Sequence, residues 1–258
     1  MTGTERDLTA IEAERRRVRE TYLRPPSERP ASTARGLHHT ALISSDVERT
    51  VRFYQDLLGF PLTELIENRD YAGSSHFFFD IGNGNLLAFF DFPGLDVGPY
   101  AEVLGGLHHI AISVHPEGRR PASSARGLHH FAVVARDVEE TIRFYQEVLE
   151  FPLTEIFENR DYKGSNHFFF DIGNNNLLAF FDFPGLDLGP YAEVLGGLHH
   201  IAISVEPEKW ERLMHKLDDV GVAYVHESGT SLYFRDPNGA RLELIADPLG
   251  EMYGTKVL

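Results

Sequence analysis

A stretch that reads "PASTARGLHH" from Pro30 returns as "PASSARGLHH" from Pro121, and the match runs on through "FPLTE", "ENRDY", "HFFFDIGN", "NLLAFFDFPGLD" and "GPYAEVLGGLHHIAISV". Roughly 80% identity over so long a repeat marks two copies of one supersecondary unit, and constrains the fold to place nearly the same surface twice. After Val114 and Val205 the copies part. The first enters a Pro, Gly and Arg linker; the second continues through "EPEKWERLMHKLDDVGVAYVHESGTSLYFRDPNGARLELIAD".

Each copy reads as strand, helix and three strands. "LHHFAVVA" (Leu128 to Ala135) is β-branched and aromatic, and "DVEETIRFYQEVLEF" carries an Asp137 cap with Ile142, Tyr145 and Leu149 at helical spacing. "PLTEIFENR", "NHFFFDIG" and "NLLAFFDF" follow as strands between Gly and Asn turns. The C-terminal segment repeats the order: strand Leu198 to Val205, helix Pro207 to Val220, then "VAYVHE", "SLYFR" and "RLELIAD", the last two joined by "DPNG". So βαβββ starts at Leu37, Leu128 and Leu198, and a fourth start, Leu107 to Val114, is truncated. The spacing predicts a helical arm over Asp7 to Leu23, solvated on its "ERRRVRE" side, and an extended linker after it.

Four of the first strands open with "GLHH". On a regular strand neighbouring side chains point to opposite faces, so one His of each pair can look into a cleft. His199 falls in with Ile201, Ile203 and Val205, a face suited to packing under a helix; His200 falls in with Ala202 and Ser204, which leave room for a ligand. His130 and His129 divide the same way, and His129 and His199 are read as structural. Glu243 stands opposite Leu242 and Leu244, and a carboxylate inside such a strand is costly unless paired or bound to a cation. Two histidines and one carboxylate on neighbouring strands can hold one face of an octahedral metal. His130, His200 and Glu243 are therefore the expected ligands.

The bulk properties agree with a metal and small-molecule site. No cysteine exists among 258 residues, which excludes thiolate ligands and nucleophiles and leaves any metal to His, Asp and Glu. A formal charge of -15 repels phosphate backbones, so no nucleic acid is expected as a partner. There is no long apolar run and no signal-like N-terminus, so no membrane partner and a cytoplasmic location are expected.

The βαβββ modules with "GLHH" on a first strand, "FYxxxLxF" on the helix and a closing "YFRDPNGARLELI" resemble the vicinal oxygen chelate superfamily: glyoxalase I, bleomycin-resistance proteins and type I extradiol dioxygenases. The resemblance covers about residues 30 to 248 and implies an α+β fold of tandem βαβββ modules, paired into an open cup-shaped mixed sheet with helices outside. It implies the same ligands, His130, His200 and Glu243. The fourth glyoxalase ligand falls at Phe180, or Phe89 in the other copy, which disfavours glyoxalase chemistry. The extradiol enzymes carry a Tyr ten residues before the Glu, which Tyr233 matches; their acid-base His falls at Asn176, and His167 is the candidate to replace it. Asn176, Phe180, Arg160 and Tyr191 are the expected substrate contacts. The reading is a metal-dependent, extradiol-like dioxygenase for a small aromatic or vicinal-oxygen substrate. Fe(II) or Mn(II) is favoured, and Zn(II) or Ni(II) suits the same donors. A glyoxalase-type lyase or isomerase and a bleomycin-resistance-like binding protein are the alternatives.

The expected organisation is a charged arm and linker (1–29), a duplicated first module with a truncated second start (30–120), a complete two-module unit (121–249) and a tail (250–258). Module one offers His39 and His109 without a carboxylate and is expected to bind metal poorly. It is expected either to pair with module one of a second chain, giving a homodimer, or to compete for the C-terminal module.

Overall fold

The computed structural model describes residues 7–115 and 124–258. The elements follow the predicted order. Helix α1 (Leu8–Tyr22), capped by Asp7, leads into module one: β1 (Ala34–Ser44), α2 (Val47–Val51), β2 (Leu62–Glu67), β3 (Ser75–Asp80) and β4 (Leu86–Asp91). The truncated start is β5 (Leu107–Val114), and module two contains β6 (Ala125–Val134), α3 (Val138–Arg143), β7 (Leu153–Glu158), β8 (Asn166–Asp171) and β9 (Leu177–Phe181). The C-terminal module has β10 (Leu198–Val205), α4 (Pro207–Asp219), β11 (Tyr224–Glu227), β12 (Ser231–Arg235) and β13 (Arg241–Ile245), closed by a hairpin of β14 (Glu251–Met252) and β15 (Thr255–Lys256). Asp46 and Asp137 cap α2 and α3 by accepting from the backbone three residues on. Both helices pass into wider π turns, Arg52–Leu57 and Phe144–Val148. In module two these bury the consecutive Phe144 and Tyr145 together.

Within each module the last three strands pair in chain order, but the modules do not join in the order expected. An eight-stranded sheet runs β11-β12-β13-β10-β1-β4-β3-β2, joining the C-terminal module to module one; a five-stranded sheet runs β5-β6-β9-β8-β7, joining the truncated start to module two. This corrects the expected two-module unit within 121–249. The two linkers cause the exchange by crossing: Leu104 N donates to Gly189 O and Leu195 N to Gly98 O. Gly105 N then bonds Val134 O of module two, and Gly196 N bonds Ile43 O of module one. Each linker thus delivers its "GLHH" strand to the other copy. The domain boundary placed at 120/121 lies outside the described residues.

Asn85 and Asn176 lock the modules about this approximate two-fold. Each is fully buried, donates to the Leu37 or Leu128 carbonyl of its own module, and bonds the other Asn; Asn176 Oδ1 accepts from Leu37 N and Asn85 Oδ1 from Leu128 N. Gly36 (φ 130°) and Gly127 (φ 115°) sit here because a Cβ on either would come within 2.6 or 2.7 Å of Asn174 or Asn83.

The main core lies on the helix side of both sheets and is continuous between them. The arm is docked on one side and solvated on the other: α1 buries Val18 and Tyr22 beside β7 and α3, where Tyr22 and Arg17 bond Glu139, while Glu14, Arg16, Arg19 and Glu20 stay exposed.

Candidate metal centre

Every "GLHH" strand carries a β-bulge at its first histidine. The register skips His38 between Leu37 and His39, and His199 between Leu198 and His200; β5 and β6 skip His108 and His129. The bulge removes the strict alternation expected above. His199 is not packed under a helix: its ring meets Phe90 at 4.5 Å, on the cup side. The two histidines of each pair meet through Nδ1, at 2.7–2.9 Å in all four copies.

Exchange of partners decides which second histidines meet. On antiparallel β1 and β10, His39 Nε2 lies 2.8 Å from His200 Nε2. Parallel pairing of β10 with β13 sets Glu243 beside Ala202, so Glu243 Oε2 falls 3.4 Å from His200 Nε2 and 3.6 Å from His39 Nε2. All three side chains are buried, and their ligating atoms lie within 4.8 Å of one another. His200 and Glu243 thus stand together as expected, with His39 as their companion; the assignment of His130 is corrected. His130 sits in the other sheet, 2.8 Å from His109 Nε2, with no carboxylate completing a ligand group there among the described residues.

The donor set fits a divalent ion. Ser231 Oγ donates to Glu243 Oε1 at 2.6 Å, but Glu243 Oε2 is buried with no hydrogen-bond partner and faces two imidazole nitrogens. Burial works to raise the Glu243 carboxyl, but the two histidines and Ser231 outweigh it and hold the group below the usual range. Burial keeps the His39 ring neutral, as a ligand requires.

The other predicted residues divide. Tyr233 is at the centre, opposite Glu243 in the register, its ring 5.7 Å from that of His200; burial first, then Glu243, pushes its hydroxyl up, so it remains a donor. His167 lies beside His130, in the sheet without a carboxylate, while its counterpart His76 lies 6.1 Å, ring to ring, from His39 with Nε2 buried and unpartnered. Asn176 is at the module junction and does not reach the cup. Phe180 is under α3 against Tyr145 and Phe168; it is a core residue. Arg160 is exposed and paired with Asp161. The Tyr191 hydroxyl donates to the Leu198 carbonyl, and Arg235 covers its ring. Alternation had no means of finding His38, His76, Phe90 or Arg241. A cavity of about 770 Å³ opens beside the centre, with Phe90, His200, Tyr233 and Arg241 in its wall.

A family profile described as "Glyoxalase/Bleomycin resistance protein/Dioxygenase superfamily" matches residues 36–116 and 127–244. The chain belongs to this superfamily. The "Putative ring-cleaving dioxygenase MhqE" of Bacillus subtilis (strain 168) is 37% identical over 82 residues, which are 30% of this chain and 26% of that protein. "Glyoxylase I 4" of Arabidopsis thaliana is 30% identical over 124 residues, 45% of this chain and 68% of the relative. The chain thus spans about a quarter of the first relative's length and two thirds of the second's. A glyoxalase I mutant from Zea mays shares the fold, with a TM-score of 0.63 at 18% identity over 83% of this chain and 94% of that one. The modules are those of the vicinal oxygen chelate fold, with helices outside the sheets. No helix among the described residues is long and apolar enough to cross a membrane.

Proposed function

We propose that this chain is a metal-dependent enzyme, most like an extradiol-type dioxygenase, that holds Fe(II) or Mn(II) on His39, His200 and Glu243 and acts on a small aromatic substrate with adjacent oxygens. The buried, unpartnered Oε2 of Glu243 facing two imidazole nitrogens carries the reading, because such an atom is costly unless a cation completes it. A divalent ion bound by two His and one carboxylate supplies a Lewis acid with open positions for two neighbouring oxygens and, if redox-active, a centre for oxygen chemistry.

The chain's own residues supply the rest. Phe78 and Phe90 wall one side of the cup and suit a flat ring. The protonated Tyr233 hydroxyl can donate a hydrogen bond to a substrate oxygen beside Glu243. His76 is kept neutral by burial, so its free Nε2 can take a proton from a substrate hydroxyl; general-base help of this kind typically contributes about 10²- to 10⁴-fold. On β4 the cup-side residues Ala88 and Phe90 offer no carboxylate, and Phe89 turns to the helix side against Tyr54. This speaks against a four-ligand glyoxalase site.

Protein purified without oxygen is expected to contain about one Fe or Mn per chain, to lose it on Glu243→Ala, and to consume one O₂ per catechol-like ring opened. Full-strength catechol binding by the metal-free chain would overturn the enzyme reading in favour of a binding protein. Isomerisation of a hemithioacetal without oxygen uptake would move the chain to the lyases.

A further inference from the structure

The first histidine of each "GLHH" pair takes no direct part in the proposed centre, yet His38 is completely buried at its edge. Its Nε2 contacts the main-chain oxygen of Glu251, on the C-terminal hairpin, and its Nδ1 lies 2.9 Å from Nδ1 of His39. A carbonyl oxygen only accepts, so His38 Nε2 carries the hydrogen. In a neutral ring Nδ1 is then bare and must accept, so His39 donates from Nδ1. That leaves the lone pair of His39 on Nε2, facing Glu243.

The other end of the chain of rings is consistent with this. Arg241, which can only donate, lies 3.0 Å from His199 Nε2; His199 then donates from Nδ1 to His200 Nδ1 at 2.8 Å. In the metal-free chain His200 therefore carries its hydrogen on Nε2 and gives it to His39 Nε2 at 2.8 Å, a hydrogen that metal binding at His200 Nε2 must displace. Two bare nitrogens or two N–H groups could not meet at that distance, so the two ends specify the same arrangement in the middle. Every bond points one way, from Arg241 to the Glu251 carbonyl.

We propose that His38 is a positioning residue: anchored by the Glu251 carbonyl, it fixes the tautomer and ring orientation of His39 so that Nε2 is open to a metal ion. The inference rests on the reading of His39, His200 and Glu243 as ligands and extends it to a residue that touches neither metal nor substrate. Outer partners of ligating histidines typically affect metal affinity 10- to 100-fold, through orientation of the ring. In module two the corresponding His129 is exposed, and the hairpin that holds His38 has no counterpart there among the described residues.

Two readouts test this on the full chain. Ring ¹⁵N shifts of the metal-free protein are expected to show His39 protonated on Nδ1 and His200 on Nε2. His38→Ala is expected to erase the His39 preference and to weaken Mn(II) binding about 10- to 100-fold by calorimetric titration. His38→Asn, whose side-chain oxygen can take the place of Nδ1 as acceptor, is expected to restore both. Unchanged Mn(II) affinity in His38→Ala, or an unchanged His39 tautomer, overturns the proposal, as does a loss that His38→Asn fails to restore. If the unaltered chain takes up neither Mn(II) nor Fe(II), the metal reading fails, while the ring shifts still decide whether His38 orients His39.

Discussion

The two sheets contain nearly the same histidines, and only one of them is a candidate metal centre. His109 and His130 meet through Nε2 at 2.8 Å, as His39 and His200 do, each ring held at Nδ1 by its bulged neighbour. His167 lies beside the first pair as His76 lies beside the second. Burial first, then the neighbouring rings, lowers His130 to about 4 and His167 to about 3, so both are neutral near pH 7. What differs is one strand. In the larger sheet β10 is flanked by β13, which brings Glu243; β5 has only β6 beside it among the described residues. The paired histidine strands form a scaffold, and the carboxylate strand makes it a site.

Removing ligands copy by copy separates the two sheets. Glu243→Gln keeps the shape but loses the charge, and His39→Ala removes a donor; each is expected to weaken Mn(II) or Fe(II) binding by more than the roughly 100-fold that marks the upper range for an outer partner. His130→Ala is expected to change it less than about twofold, because that ring lies in the other sheet. Metal titration of the three variants decides the point. A large loss in His130→Ala together with an intact His39→Ala would mean that the C-terminal module pairs with module two in solution.

The order of elements was legible because Asp caps, helical spacing and alternating strands are local signals. The pairing of modules was not. Strands β1 and β6 share "ARGLHH" and similar apolar residues after it, so either can receive β10, and the choice is made by the crossing of two linkers of nearly the same sequence. His200 and Glu243 were legible because only the C-terminal module has a carboxylate in the interior of its closing strand, whereas Asp91 stands at the very end of β4. His39 was hidden behind its twin. Strict alternation also misplaced His199, since a bulge has no sequence mark here beyond the doubled histidine. Asn176 matched a family position and proved to be the pin between modules, a role that depends on Asn85, 91 residues away in the turn before β4.

Burial of the helices gives a second, smaller contrast. Leu149 ends the α3 segment with 0% exposure, whereas Leu58, the same residue of module one, is 37% exposed, with Phe53 and Leu57 more exposed still. The Tyr145 hydroxyl reaches Asp236, and Phe144 meets Phe234, so the C-terminal module covers the module-two helix while pairing its strands with module one. Leu149→Ala is expected to cost about 2–5 kcal/mol in urea unfolding, through lost burial and a cavity. Leu58→Ala is expected to cost roughly half of that or less, because its surroundings are already open to solvent. Equal losses would mean that the two helices are equally covered in solution.

The smallest effect concerns α1, which has no counterpart over module one among the described residues. Its attachment passes through Glu139: Tyr22 donates to this carboxylate, Arg17 and Arg143 pair with it, and together they lower it from 4.5 to about 2. A folded-state value below the unfolded one contributes stability that is fully present above pH 4.5 and is lost as the pH falls toward 2. Solvent screens these ion pairs, so the contribution is modest and the rest of the fold should not respond. Pepsin digestion at pH 4 and at pH 2.5 is expected to cut within Leu8–Tyr22 faster at the lower value, before either sheet is attacked. Glu139→Gln should bring that faster cutting to pH 4, since a neutral amide can bond Tyr22 but cannot pair with Arg17; equal rates for the variant and the unaltered chain would show that α1 is held by Val18 and Tyr22 packing alone.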